Sequence, residues 1–156
     1  MYDRILVPVD GSDIAYAAAD HAFDLATAVD AEVHVIFVVD ESIEKMLLST
    51  HSMRTVLESL RERGEEVLDT VEERADTAGV SVTTELGHAV QVHEAIVDYC
   101  DEHDVDLVVM GTSGREGFDH LVGSTTERVL MASSIPVLAV SPEGVLDGPA
   151  GESDGE

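Results

Sequence analysis

Uniformly apolar runs, short and separated by helix-period stretches, constrain this chain more than any other feature. Arg4-Ile5-Leu6-Val7-Pro8-Val9 and Val105-Asp106-Leu107-Val108-Val109-Met110 show little polar alternation. A strand with one face in water alternates, whereas a strand buried on both faces does not. Glu32 to Val39 reads as a second strand, and Val137-Leu138-Ala139-Val140 as a final apolar strand at an edge. Val80-Ser81-Val82-Thr83-Thr84-Glu85-Leu86 does alternate, which predicts a strand with one more exposed face, at a sheet edge. Strands that alternate with helices predict an α/β domain built on a parallel sheet.

The intervening stretches carry helical stripes. Ala15, Ala18, Ala19, Ala22, Leu25, Ala26 and Val29 share one face, and the alanines allow close approach to a sheet. Ser12 is placed to cap that helix. Residues 41–52 read as an irregular or partly helical connection, in which Met46-Leu47-Leu48 either covers the crevice or packs on the sheet. A long helix follows, with Met53, Val56, Leu57, Leu60, Val67, Leu68, Val71, Ala75 and Ala78 inward, Gly64 at a close contact and Gly79 as the terminating glycine. Gly87-His88-Ala89-Val90 reads as a short loop, followed by a helix with Val92, Ala95, Ile96, Tyr99, Cys100 and His103 on one face. Cys100 is thereby a small buried apolar residue and not a nucleophile. His34 reads as a packed or strand-edge residue, and His88, His93 and His103 are not spaced as metal ligands on one helix face. The last helix is expected to turn Thr126, Val129, Leu130 and Ser133 inward.

Between the strand ending at Met110 and that helix lies Gly111-Thr112-Ser113-Gly114-Arg115, continuing to Gly123-Ser124-Thr125-Thr126-Glu127. Glycines let backbone approach a ligand, and a helix start offers unpaired N–H groups at the positive end of its dipole. A glycine-bearing loop between a strand's C-terminal end and a helix start is therefore a candidate anion site, phosphate above all. Ser124-Thr125-Thr126-Glu127 fits a capping box with Ser124 as N-cap.

The chain has 156 residues, which suits one domain, with 33 acidic residues against 8 Lys and Arg and a formal net charge of −25. A nucleic-acid binder needs a basic face, and an anionic membrane would repel this surface, so both are disfavoured as partners. The balance suits an acidic solvated surface of the kind found on proteins of extreme halophiles, where salt screens self-repulsion. No signal segment or membrane-length apolar run is evident and the single cysteine cannot form an internal disulfide, so a cytoplasmic location is expected. An acidic, Gly- and Pro-bearing tail, residues 143–156, is expected to be disordered after a domain of residues 1–142.

The pattern Gly111-x-x-Gly114, a spacer, then Gly123-Ser124-Thr125 resembles the nucleotide loop of the universal stress protein family. Met1 to Ser12 is similar to that family's opening strand with its Asp-Gly-Ser turn, and Ile135-Pro136-Val137-Leu138-Ala139-Val140 to its closing strand. The spacer, Arg115 to Val122, is eight residues and falls one short of the family's usual length. The resemblance implies an open five-stranded parallel sheet, Rossmann-like, with helices on both faces and strand order 3-2-1-4-5. The turn at Asp10 and the loop at Gly111 would then meet at the topological switch. It implies an ATP site, loaded with Mg, formed by Pro8, Val9, Asp10, Val38, Met110, Gly111, Gly114, Arg115, Gly123, Ser124 and Thr125. Val38 would meet adenine through its backbone, and Asp10 would position ribose or the nucleotide-bound divalent ion. The family also implies a homodimer through Val137–Val140.

Three functions compete. The first is an ATP-binding stress or signalling protein with at most slow hydrolysis. The second is a dimeric interaction module of the same fold without nucleotide, which the shortened spacer favours. The third is a nucleotide-activating enzyme. Against the third, the first loop is Val9-Asp10-Gly11-Ser12, there is neither a Gly-x-x-x-x-Gly-Lys-Ser/Thr loop nor a Gly-x-Gly-x-x-Gly after the first strand, and no nucleophile–base pair is evident.

Overall fold

The computed structural model describes residues 2–42, 50–112 and 122–141. Five strands form one sheet: β1 (Arg4–Pro8), β2 (Glu32–Asp40), β3 (Val82–Ala89), β4 (Leu107–Gly111) and β5 (Val137–Val140). Four helices alternate with them: α1 (Asp13–Val29), α2 (Thr50–Ala78), α3 (Val92–Glu102) and α4 (Ser124–Ala132). The sheet order is β3-β2-β1-β4-β5 and every pairing is parallel. The expected α/β architecture and the expected order 3-2-1-4-5 are both present.

Strand alternation divides the apolar residues between two layers. Ile5 and Val7 of β1, Val33, Val35 and Phe37 of β2, and Leu107 and Val109 of β4 face α1 and α2 in one core. Leu6, Ile36, Val108 and Met110 face α3 and α4 in the other. Burial on both faces explains why these strands carry no polar period. Helix α1 buries Ile14 and Phe23 as well as its alanines, while Leu25 and Val29 are only partly buried, so its inward stripe is rotated from the one expected. Ser12 caps α1 as expected: its Oγ accepts a hydrogen bond from Ala15 N at 3.2 Å. Gly64 is buried in α2, and a Cβ there would stand 2.7 Å from both Leu86 Cδ1 and Phe37 Cδ1. Only a glycine lets α2 come this close to the sheet.

Three expectations change. Gly87, His88 and Ala89 are strand, not loop, because β2 runs to Asp40 and offers Val38, Val39 and Asp40 as their partners. A continuous ladder overrides the weak strand preference of glycine. Leu130 is 44% exposed and turns outward, whereas Thr126 and Val129 are buried. The N-cap of α4 is Gly123, not Ser124; Gly123 is extended and its carbonyl accepts Glu127 N at 2.9 Å, so Ser124 is the first helical residue. Residues 43–49, including Met46-Leu47-Leu48, and residues 142–156, which include the tail 143–156, lie outside the described residues.

Candidate functional site

Strands β1 and β4 are neighbours, but their connections leave on opposite sides of the sheet, α1 on one face and α4 on the other. A crevice opens where such connections diverge. It holds a cavity of about 380 Å3. Of the residues predicted for the site, Pro8, Val9, Asp10, Val38, Met110, Gly111, Gly123, Ser124 and Thr125 all line it. They come from four stretches far apart in sequence: the β1 end, the β2 end, the β4 end and the α4 start. Gly114 and Arg115 lie outside the described residues.

The floor is apolar, with Ile36, Val38, Val92, Ile96 and Met110. The opposite wall is polar. The α4 start carries no side-chain cap, so the Ser124 and Thr125 hydroxyls stand beside helix-start N–H groups that lack an intrahelical acceptor. A helix start with free donors and a positive dipole end favours an anion. Two hydrogen bonds hold this wall to the sheet. Thr126 Oγ1 donates to the Gly111 carbonyl at 2.8 Å, and Gly123 N donates to the Thr112 carbonyl. At Gly111 a Cβ would meet Ile14 Cγ1 and Cγ2 at 3.0 Å, so the absent side chain lets β4 close against α1. Thr112 Oγ1 is buried without a hydrogen-bond partner among the described residues.

Asp10 anchors the second wall. Its Oδ1 accepts from Ser12 N at 3.0 Å and from Ser12 Oγ at 2.6 Å, which closes the turn before α1. Turn chemistry and a place in the cavity are thus both true of this carboxylate. Asp40, at the end of β2, also lines the cavity, and its Oδ1 accepts from Ser42 N at 2.9 Å.

Sequence reasoning missed Ser12, Ile14, Ala15, Ile36, Asp40, Val92, Ile96 and Thr126 as lining residues. Asp40 had a readable signal, since it ends a buried strand just as Asp10 does. Val92 and Ile96 had none: α3 meets the crevice only through tertiary packing. A second opening, of about 480 Å3, lies beside β2 and α2, with Glu41 and Glu58 interspersed with Arg54 and Arg61. It contains none of the predicted residues, and its mixed charge gives it no preferred sign of ligand.

The histidines and the cysteine take other roles. His34 packs against Tyr99, His103 stacks on Tyr99 with ring centroids 3.8 Å apart, and His88 Nδ1 lies 3.4 Å from Glu41 Oε2. Burial pushes the Cys100 thiol up to about 11, so it stays protonated and inert. Among the described residues, no group of three or more His, Cys, Asp or Glu is arranged to hold a metal ion by itself. No helix among them is long and apolar enough to cross a membrane.

A model of the universal stress protein family matches residues 1–141. Universal stress protein MJ0531 of Methanocaldococcus jannaschii is 40% identical over 141 residues, covering 90% of this chain and 82% of the relative. The solved structure of universal stress protein UspA from Lactobacillus plantarum is similar with a TM-score of 0.75 and 30% identity, covering 89% of this chain and 97% of that one. A universal stress protein solved in complex with cAMP shares the fold, with a TM-score of 0.65 and 24% identity over 89% of this chain and 96% of that one. The match over residues 1–141, joined to a relative 40% identical over most of both chains, places this chain in the universal stress protein family.

Proposed function

We infer that this protein binds a nucleotide, ATP by preference, in the β1/β4 crevice and serves a stress-response or signalling role with at most slow hydrolysis. One observation carries the reading: a single cavity joins an apolar floor to an uncapped helix start lined with hydroxyls. An adenine ring suits the floor between Val38, Ile96 and Met110. Phosphates suit Gly123, Ser124 and Thr125, where hydrogen bonds to a charged group contribute about 1.5–3 kcal/mol each. Gly114 and Arg115 would complete that wall from the glycine loop. With Asp10 and Asp40 as the carboxylates among the described lining residues, a divalent ion such as Mg would take the nucleotide's own oxygens to complete its shell. Bound Mg would neutralise phosphate charge, and Asp10 would orient it. A cofamily structure with cAMP supports a nucleotide as the ligand class.

A cytoplasmic location and a homodimer through β5 belong to the same proposal. Strand β5 is at the sheet edge, with Leu138 37% exposed, and Met131 of α4 is 81% exposed. An apolar edge strand needs cover. The alternative, a dimeric interaction module without nucleotide, draws on the eight-residue spacer from Arg115 to Val122.

Ser124→Asp separates the two readings. A carboxylate in the first turn of α4 favours the helix dipole, so folding stability is kept or raised. The same charge repels phosphate, and titration calorimetry with Mg-ATP in high potassium chloride should register at least about a tenfold loss of affinity. Equal ATP binding by the variant would remove the α4 start from the site. No ATP binding by the folded parent chain would leave the interaction module.

A further inference from the structure

The described lining of the cavity contains Asp10 and Asp40 but no Lys, Arg or His. An anionic ligand entering it meets two carboxylates on a chain of net charge −25. The α4 start supplies only partial charges. A full positive charge stands against the turn that carries Asp10. Helix α2, which packs on the same sheet face as α1, carries Arg63 to the turn between β1 and α1. Its guanidinium lies against Gly11: a Cβ at that glycine would be 2.5 Å from Arg63 Nη2 and 3.0 Å from Val67 Cγ2. Gly11 has φ +86°, which already favours glycine, and the missing side chain also makes room for the guanidinium.

Arg63 is not occupied elsewhere. Arg4 pairs with Glu32 at 2.9 Å and Arg74 with Asp20 at 2.7 Å, but Arg63 makes no ion pair or hydrogen bond among the described residues. Its place over the backbone of the Asp10–Ser12 turn puts one residue between a full cation and the carboxylate that lines the cavity.

We propose that Arg63 supplies positive counter-charge to the nucleotide cavity, acting through the Asp10–Ser12 turn to favour ligands that carry phosphates over uncharged nucleosides. The inference rests on the nucleotide reading of the crevice. Arg63 touches no ligand in this arrangement: it offsets the Asp10 charge and makes the local potential less negative. Its effect therefore scales with ligand charge and fades with salt.

The test is calorimetry on the full chain with ATP and with adenosine, at low and at high potassium chloride, for the parent, Arg63→Gln and Arg63→Lys. Arg63→Gln should weaken ATP binding about three- to tenfold at low salt, the range for one charge acting across a protein surface. It should leave adenosine affinity unchanged, and the ATP difference should shrink at high salt. Arg63→Lys, which keeps the charge, should retain most of the parent's ATP affinity. If Arg63→Gln binds ATP as the parent does at low salt, the counter-charge role is wrong while the nucleotide site stands. If it loses adenosine and ATP equally, Arg63 only props the turn, and the role is equally wrong. A folded parent that binds neither ligand overturns the nucleotide reading itself.

Discussion

His34 shows how a single residue is set by its surroundings. It is 8% exposed in the middle of the sheet, with Nδ1 2.6 Å from the Tyr99 hydroxyl and Nε2 3.6 Å from Glu32 Oε1. Tyr99 donating to Nδ1 leaves the Nε2 proton facing Glu32. Burial first, then the Arg4 guanidinium and His103, lower its pKa below the ordinary 6.5, against an upward pull from Glu32. The imidazole is therefore held neutral. Because the unfolded chain binds this proton more readily, His34 favours the folded state fully above pH 6.5, and that contribution is lost as pH falls below it. Protonation of the acidic surface acts in the opposite direction, so the parent alone is a poor probe. The stability of the parent relative to His34→Gln should decline between about pH 7.5 and pH 5.5, followed by urea denaturation. A difference independent of pH would show that His34 titrates alike in both states. The sequence read this histidine as packed or at a strand edge; Glu32 is its neighbour on β2, but Tyr99 of α3 and Arg4 of β1 reach it only through the fold.

Elements were legible where one period dominated. The uniformly apolar strands β1, β2 and β4 are buried as read, and Gly79 follows α2 with φ +76° as a terminating glycine should. Boundaries failed where a neighbouring element decided them. Strand β3 runs past Leu86 to Ala89 because β2 supplies partners, and α4 starts at Ser124 because the Gly123 amide is tied to the Thr112 carbonyl. Helix α2 makes the sharpest prediction at this scale. A Cβ at Gly64 would be 2.7 Å from the Phe37 ring and from Leu86. Gly64→Val should destabilise by about 1–3 kcal/mol in urea, as overpacking does. Gly64→Ala should cost less, because alanine recovers about 1 kcal/mol of helix preference. An unchanged midpoint for the valine variant would mean that α2 can lift from the sheet without loss.

On the scale of the whole molecule, the chain is one sheet with two cores, an acidic surface and an apolar edge at β5. Leu138→Lys places a charge on that edge without touching the crevice. Under the homodimer proposal, sedimentation should shift from dimer to monomer while ATP affinity stays unchanged. A parent already monomeric would assign the β5 edge to another partner. The sequence by itself determined the layer type, the presence and order of the helices and strands, the sign of the surface and which loops meet at the site. These depend on local period and composition, which a linear chain carries in full. Tertiary structure alone decided that α3 would floor the cavity with Val92 and Ile96, that α4 would begin uncapped, and that Arg63 would rest against Gly11 at the Asp10 turn. Those relations join residues dozens of positions apart, and they exist only once the sheet order has set which strand ends are neighbours.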